Sequence, residues 1–149
     1  MPISLSFQKR FKAIIDDSDY TRTELIKLIP VSQSTLSNAL TYGIIPSTKT
    51  LVKIANFFET SLAYLLSKTD NVDFIPNPTP ASFQSRFEDL CLEKAVTHYK
   101  VANDCLFDKS NISRWFSKGF LPELEILELL CDYFNVSLDY LLGRTDYKD

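Results

Sequence analysis

The 149-residue sequence is poor in glycine, with only 3 glycines against a usual share of ~7%. Sheet proteins with many tight turns use more glycine, so this scarcity favours a helical chain. No uncharged apolar run approaches the ~18 residues of a membrane-spanning helix, and the first residues lack the basic-then-apolar order of a signal peptide. We therefore expect a cytoplasmic protein without a membrane-spanning segment.

Cysteine and histidine are also scarce, with 3 cysteines and a single histidine. An odd number of cysteines without close pairing does not form a disulfide framework, and reduced thiols fit better. The C-x-x-C and H-x-x-x-H spacings of zinc sites are missing, as are a Ser/His/Asp set, a carboxylate pair and a glycine-rich phosphate loop. We therefore expect no metal, no cofactor and no enzymatic activity.

Positive charge is in short supply for a protein that would bind nucleic acid in bulk. The 16 basic and 19 acidic residues give a net charge of −3. Divided after Ile75, the first part carries 8 basic and 7 acidic residues and the second carries 8 basic and 12 acidic residues. The hydrophobic share of 45% and the charged share of 23% are typical of a folded globular chain.

The chain repeats itself at one fixed spacing. The segment Phe7-Gln8-Lys9-Arg10-Phe11 recurs 76 residues later as Phe83-Gln84-Ser85-Arg86-Phe87, without any gap. The same offset relates two serines, a glycine, a proline and the motif S-L-x-Y-L-L-x-x-T-D, which begins at Ser61 and again at Ser137. One register held over more than sixty positions predicts a tandem duplication.

Alternating prolines separate the two copies. Pro76, Pro78 and Pro80 lie at the centre of residues 71–81 and favour an extended, fairly stiff polyproline II spacer. We expect a first domain at residues 1–73, a proline-rich linker at 74–81 and a second domain at 82–149. Phe74 and Ile75 are expected to dock on a domain, because adjacent exposed apolar side chains are unfavourable.

Each copy reads as five short helices. In the first copy, the apolar residues Phe7, Phe11, Ile14 and Ile15 have helical spacing. A capping box, Thr21-x-x-Glu24, begins a second helix that runs to about residue 29.

Three further helices follow in the same copy. Ser32 can cap a third helix from residue 33 to about residue 42, which ends at Gly43. Pro46 and Ser47 open a fourth helix, and Ser61 caps a fifth from residue 62 to residue 66. The predicted core positions of the second copy are Leu90, Val101, Ile112, Phe116, Leu127, Leu130 and Phe134.

The second and third helices of the first copy resemble the helix-turn-helix of the Cro/C1-type (XRE) DNA-binding family, familiar from phage repressors. The resemblance rests on Thr21-x-x-Glu24-Leu25, on Val31-Ser32-Gln33-Ser34-Thr35-Leu36-Ser37, on Gly43-x-x-Pro46 and on the last-helix sequence from Ser137 to Asp146. It implies an all-α fold of two tandem five-helix lambda-repressor-like helix-turn-helix domains. It also implies that the third helix of each copy enters the major groove of double-stranded DNA, while the preceding helix holds phosphates.

The outward face of the third helix agrees with base readout. In the first copy it is short, polar and uncharged, whereas a merely solvated face would more often carry Lys and Glu. Amides match the adenine edge, and Lys or Arg suits guanine or phosphate. The candidate DNA-binding residues of this helix are Gln33, Ser34, Thr35, Ser37, Asn38 and Tyr42 in the first copy and Lys109, Ser110, Asn111, Ser113, Arg114 and Lys118 in the second.

Arg22 and His98 occupy the same position in the two copies, at the start of the motif's first helix. The resemblance implies a phosphate contact there, although His98 could equally be an ordinary surface histidine. Trp115 aligns with Ala39 on the inner side of the third helix, so core packing is favoured over stacking on DNA. The three cysteines also align with core positions and are expected to be buried and inert.

The sequence departs from the family at the turn and at one loop. The turn position that is usually glycine is Pro30 in the first copy and Leu106 in the second, so the turn must be built differently. The loops Ile44-Ile45 and Phe120-Leu121 are apolar where basic residues are frequent. They are therefore candidate contacts to a second copy of the chain or to a partner protein.

Two functions remain open on the sequence alone. The first is a sequence-specific DNA-binding transcriptional regulator, most simply a repressor of the phage or mobile-element type. The second is a protein-interaction module, antirepressor-like or antitoxin-like, in which one or both motifs no longer bind DNA. The polar outer faces of the third helices favour the first, and the acidic second half and apolar loops favour the second.

Overall fold

The computed structural model describes residues 2–149, so Met1, the first residue of the predicted first domain, lies outside it. It divides into two compact units, one up to Phe74 and one from Ile75 to Asp149. Regular structure in the described residues consists of ten α-helices and one isolated antiparallel bridge between Ile3 and Ile44. No helix within residues 2–149 is long and apolar enough to cross a membrane.

The first unit contains five helices; the last four start at the predicted caps, and Ser4 caps the first. Ser4, Thr21, Ser32, Ser47 and Ser61 each accept a backbone amide hydrogen of the first turn, and Thr21 forms the full capping box with Glu24. The helices are α1 (Leu5–Asp17), α2 (Arg22–Leu28), α3 (Gln33–Tyr42), α4 (Thr48–Phe57) and α5 (Leu62–Leu65).

Helix α1 forms the centre of this unit and packs against α3 and α5. Phe7 and Phe11 are fully buried, with ring centroids 5.7 Å apart, and Leu25 and Leu51 are equally inaccessible. Burial of such side chains contributes roughly 1.5–3 kcal/mol each, which is what holds helices this short in place.

A short N-terminal arm covers the loop after α3. Ser4 N donates to Gly43 O at 2.9 Å, and Ile45 N donates to Pro2 O at 2.9 Å. The side chains of Ile44 and Ile45 are consequently half-buried within the first unit.

The second unit also contains five helices: α6 (Phe83–Lys94), α7 (His98–Cys105), α8 (Ser110–Lys118), α9 (Leu124–Phe134) and α10 (Leu138–Leu141). Side chains of Ser82, Thr97 and Ser137 cap α6, α7 and α10. Helix α8 begins differently, because the Asp108 carboxylate accepts from Ser110 N at 2.9 Å.

The turns that precede the third helix of the two units have different backbone conformations. In the first unit α2 ends at Ile29 with extended dihedral angles, and Pro30 follows. In the second unit Leu106 takes the left-handed conformation at φ 61°, which glycine would adopt without strain.

Several side-chain interactions recur at positions 76 residues apart. Arg10 donates to the carbonyl oxygens of Tyr64 and Thr69 and pairs with Asp70 at 2.9 Å. Arg86 donates to the carbonyl oxygens of Tyr140 and Thr145 and pairs with Asp146 at 2.8 Å. Each guanidinium also lies over a tyrosine ring, 4.0 Å and 4.1 Å from the centroids of Tyr64 and Tyr140.

The core of the second unit agrees with the sequence except at Phe116. Leu90, Val101, Ile112, Leu127 and Leu130 are buried as predicted, and Phe134 is half-buried. The prediction for Phe116 is wrong, because its side chain is 40% exposed, whereas the aligned Leu40 is buried.

Trp115 explains the displacement of Phe116. As predicted, Trp115 is buried, and it packs edge-on against Phe83 and Phe87 and beside Phe107. In the first unit the aligned Ala39 is small and leaves core space for Leu40. In the second unit the Trp115 indole fills that space, so the ring of the neighbouring Phe116 turns outward.

The three cysteines are buried thiols outside any disulfide, as expected. Loss of hydration raises the pKa of the Cys91 thiol to about 11, and the nearby Glu88 charge adds to the shift. Burial also raises the pKa of Cys105. These thiols therefore stay protonated at neutral pH, which makes them poor nucleophiles.

The proline segment is held by the second unit instead of extending freely. Thr145 Oγ1 donates to Ile75 O at 2.7 Å, Asn77 N donates to Arg144 O at 2.8 Å, and Ala81 N donates to Gly143 O at 3.2 Å. We call residues 75–81 the strap. Ile75 is docked through its backbone while its side chain stays 61% exposed, and Phe74 is half-buried.

Candidate nucleic-acid interface

Helices α2 and α3 place a polar surface on the first unit. The inner side of α3 is anchored by Leu36, Ala39 and Leu40, each at most 2% exposed. Gln8 of α1 fixes the C-terminal end of α3, because its side-chain amide donates to Leu40 O and Thr41 O at 2.9 Å. The opposite side of α3 is therefore presented outward in one orientation.

The predicted residues of the first motif fall into two groups. Arg22, Gln33, Ser34, Asn38 and Tyr42 are exposed. Thr35 and Ser37 are half-buried, and Thr35 Oγ1 lies 2.7 Å from the Oγ of the cap residue Ser32. Thr35 therefore contributes to the helix start, whereas the exposed group is available to a ligand.

The exposed face of α3 carries uncharged side chains that can form hydrogen bonds. Among residues 2–149, no hydrogen-bond partner engages the side-chain amides of Gln33 and Asn38. An amide offers a donor and an acceptor side by side, which matches the N6 and N7 atoms of adenine in the major groove. Arg22 adds one cation at the start of α2, where a phosphate contact is predicted.

The corresponding face of the second unit is charged. Lys109, Ser110, Ser113, Arg114 and Lys118 are exposed. The side chain of Asn111 is half-buried and already engaged at both ends, since its amide donates to Asp108 O at 3.0 Å and its oxygen accepts from Arg114 Nη2 at 2.9 Å.

Asp108 adds a negative charge beside these cations. Hydrogen bonds from the Ser110 backbone and side chain lower the pKa of the Asp108 carboxyl, so it stays ionised at neutral pH. A fixed carboxylate beside Lys109 reduces the attraction of this face for phosphate.

His98 lies among aromatic side chains at the start of α7. Its ring stacks on Phe116 with centroids 5.2 Å apart and planes inclined by 17°, and it lies 5.3 Å from the ring of Phe87. The Nε2 atom contacts the Glu88 carboxylate. The aligned Arg22 is exposed instead, so the two first-helix positions have different surroundings. The DNA contacts assigned to His98 and to the other candidate residues stay predictions.

A groove between α7 and α8 brings predicted DNA-binding and core residues together with Tyr99 and Asp108, which the sequence did not single out. We call it the α7/α8 groove. It has a volume of about 570 Å³ and is lined by His98, Tyr99, Asp108, Lys109, Ser110, Ile112, Ser113 and Phe116. Tyr99 is 64% exposed. The sequence signal that could have indicated this groove is a difference in side-chain volume: Trp115 and Phe116 are larger than the aligned Ala39 and Leu40.

A metal is not among the ligands that these surfaces suggest. In the described part of the chain, no three His, Cys, Asp or Glu side chains come together in a way that could hold a metal ion.

Comparison with known proteins identifies the first motif. The helix-turn-helix family model HTH_3 matches residues 11–65, a range that contains α2, the turn and α3. The chain therefore carries an XRE-like helix-turn-helix in its first unit. No curated protein and no solved structure matches the chain.

Proposed function

We propose that the protein is a cytoplasmic sequence-specific DNA-binding transcriptional regulator, and specifically a repressor of the phage or mobile-element type. The observation that carries this proposal is the outer face of α3 in a matched helix-turn-helix. Gln33 and Asn38 are exposed there with unoccupied amides, on a helix whose inner side is fully buried. Such a helix can lie in the major groove with its amides against base edges.

The same proposal extends to a tandem duplication of the motif. The repeated sequence register, the equal order of five helices and the matched Arg10–Asp70 and Arg86–Asp146 pairs support a second copy of the domain. In this proposal α8 follows α7 as α3 follows α2. Arg114 and Lys118 would then contact guanine or phosphate beside the first unit's site.

Substitution of the two amides tests base readout. Gln33→Ala or Asn38→Ala should weaken binding to the preferred duplex by about 1–3 kcal/mol while leaving random DNA nearly unaffected. Asn56→Ala is the matched control, since it removes an exposed amide from α4, outside the motif. Mobility shifts on selected and random duplexes give the result, and equal losses on both would contradict base readout by these residues.

A protein-interaction module is the second candidate, favoured by the surface of the second unit. That unit carries 8 basic and 12 acidic residues, and its exposed apolar side chains include Leu106 and Phe120, at 91% and 55% exposure. Leu121 beside Phe120 is half-buried, so of the two apolar loops only this one presents a largely exposed side chain. A homodimer or a partner protein would contact this surface.

Salt dependence separates the two candidates. For a duplex-binding regulator, the logarithm of the association constant should fall linearly with the logarithm of the salt concentration, with a slope of about −0.9 for each phosphate contact. A mobility-shift titration against genomic fragments, repeated at several salt concentrations, measures this slope. Failure to shift any fragment above random DNA would favour the interaction module.

A further inference from the structure

The α7/α8 groove presents aromatic faces on the surface that the duplication would assign to DNA. Phe116 is 40% exposed, and Tyr99 is 64% exposed. The aligned residues of the first unit are Leu40, which is buried, and Thr23. This aromatic character therefore belongs to the second unit alone.

The rings of His98 and Phe116 are held in place by contacts beneath them. The rings of His98, Phe87 and Phe116 all contact one another, with centroids 5.2–6.1 Å apart, and the Glu88 carboxylate contacts the Nε2 atom of His98. Trp115 occupies the core below and prevents Phe116 from turning inward. A ligand that stacks here would lose little freedom of the protein side chains.

A cation and hydroxyl groups border the same groove. Lys109 Nζ lies 5.6 Å from the centroid of the Tyr99 ring, and the Lys109 side chain is exposed. Its neighbour Asp108 accepts from Ser110 N, and this carboxylate weakens the attraction of Lys109 for a phosphate, so stacking on the rings carries most of the affinity. Ser113, one turn further along α8, supplies a hydroxyl for a polar ring edge.

We propose that the α7/α8 groove binds an unpaired nucleotide, with the base stacked on Tyr99 or on the Phe116–His98 pair and the phosphate at Lys109. Aromatic side chains bind bases through their faces, which a paired duplex hides and an unpaired strand exposes. The volume of about 570 Å³ lies within the ~300–1,000 Å³ usual for ligand pockets. Stacking also adds affinity without needing a strongly basic surface, which suits this acidic unit.

The nucleotide could be free in solution or part of a single strand. This inference rests on the proposed nucleic-acid function but not on duplex readout by the first unit, so the two can fail separately. The test uses the full chain with three probes: thymidine 5′-monophosphate, a fluorescein-labelled ten-nucleotide oligothymidylate and a blunt duplex of unrelated sequence. Fluorescence anisotropy measures affinity for the labelled strand, unlabelled probes compete, and amide NMR shifts locate the site.

We expect Tyr99→Ala to weaken binding of the oligothymidylate by ~10-fold or more, because base stacking is worth about that factor at each aromatic residue. Tyr147→Ala is the matched control, since Tyr147 is 59% exposed in the same unit and does not line the groove. Phe116→Leu, which restores the residue of the first unit, should also weaken binding and guards against misfolding of a single variant. The affinity for duplex DNA, which depends on Asn38, should be the same in the Tyr99→Ala variant as in the wild type.

The outcomes are separable. Tighter binding of the strand than of the monophosphate identifies a single strand as the source, and equal affinity per nucleotide identifies a free nucleotide. Absence of amide shifts at His98, Tyr99 and Ser113 with either probe would overturn the proposal. Equal losses in Tyr99→Ala and Tyr147→Ala would overturn it too, as would duplex binding as tight as that of the strand.

Discussion

Leu106 combines two unfavourable features at one residue. Its φ of 61° places it in the left-handed region, and its side chain is 91% exposed. For an L-residue this conformation costs roughly 1–2 kcal/mol, and no buried contact of the side chain offsets it. The turn before α8 is therefore strained where the turn before α3 is extended.

Leu106→Gly should stabilise the second unit by about 0.5–1 kcal/mol, because glycine relieves the strain but brings extra unfolded-state entropy. Urea unfolding followed by the fluorescence of Trp115, the single tryptophan of the chain, reports on this unit. Leu92→Gly is the control, since Leu92 is 78% exposed inside α6 and should destabilise by a similar amount. A destabilised Leu106→Gly variant would show that the leucine side chain makes a favourable contact.

The raised pKa of the Cys91 thiol makes the stability of the second unit depend on pH in the alkaline range. Its pKa is raised from 9.0 to about 11, so the folded state binds the proton more tightly than the unfolded state. This contribution is present below pH 9 and is lost as the pH rises through 11.

Between pH 8 and pH 10.5 the wild-type second unit should lose about 1–2 kcal/mol more unfolding free energy than Cys91→Val. The comparison between variants cancels the parallel titrations of Cys105 and of Tyr133, whose pKa a hydrogen bond to Asp104 raises to about 12. Urea titrations at several pH values measure the difference. Identical pH profiles for the two proteins would show that Cys91 does not titrate in this range.

Among the structural elements, the strap is bonded to the C-terminal end of the second unit. Three backbone carbonyls or amides of this segment are bonded to residues 143–145. Asn77 Nδ2 also donates to Asp146 Oδ1 at 2.9 Å, and that carboxylate pairs with Arg86. The segment that the sequence predicts to be a stiff spacer is therefore bonded to the second unit.

Substitution of two glycines in the second unit separates the cost of backbone strain from the cost of a steric clash. Gly119 and Gly143 both have positive φ values, 68° and 75°. A Cβ atom added at Gly119 would meet nothing within 4 Å, whereas one added at Gly143 would lie 1.9 Å from Ala81 O of the strap. Gly119→Ala should cost roughly 1 kcal/mol, from strain alone. Gly143→Ala should cost about 2–4 kcal/mol, since the strap must also move.

The same Trp115 unfolding assay compares the two variants. Equal losses would mean that the strap does not contribute to the stability of the second unit. Far-ultraviolet circular dichroism of the folded variants checks that both retain their helices.

At the scale of the whole molecule, we propose that one chain acts as a covalent pseudo-dimer on DNA. Related single-domain repressors place two recognition helices about one turn, ~34 Å, apart, and the second unit would replace the partner subunit. Because Gln33 and Asn38 correspond to Lys109 and Arg114, the two half-sites should differ in sequence. Linkage would raise the effective concentration of the second unit at its half-site.

Footprints of the full chain test this arrangement. Asn38→Ala should weaken protection over one half-site and Arg114→Ala over the other, with a single chain bound per site by molar mass. Lys118→Ala should weaken binding uniformly and lower the salt slope by about one unit. If no change in α8 alters the footprint, the second unit does not read duplex DNA, and its groove stands as a separate site.

Local structure could be predicted from the sequence alone. Hydroxyl caps at Thr21, Ser32 and Ser61, the stop at Gly43 and the inward spacing of Leu36 and Leu40 are signals read within one helical turn. Such signals act between neighbouring residues, so each helix of the first unit begins and ends close to its predicted residues. The candidate face of α3 follows directly, because burying one side of a helix exposes the other.

Features that depend on side-chain volume and on residues distant in sequence are visible only in the folded chain. The outward turn of Phe116 results from Trp115 filling a core shared with α6, and the position of His98 results from Glu88 and Phe87 on that same helix. The docking of the strap depends on Gly143 and Thr145, more than sixty residues away. Local periodicity carries no information about how much space a core leaves, so the α7/α8 groove becomes visible only when the helices are packed.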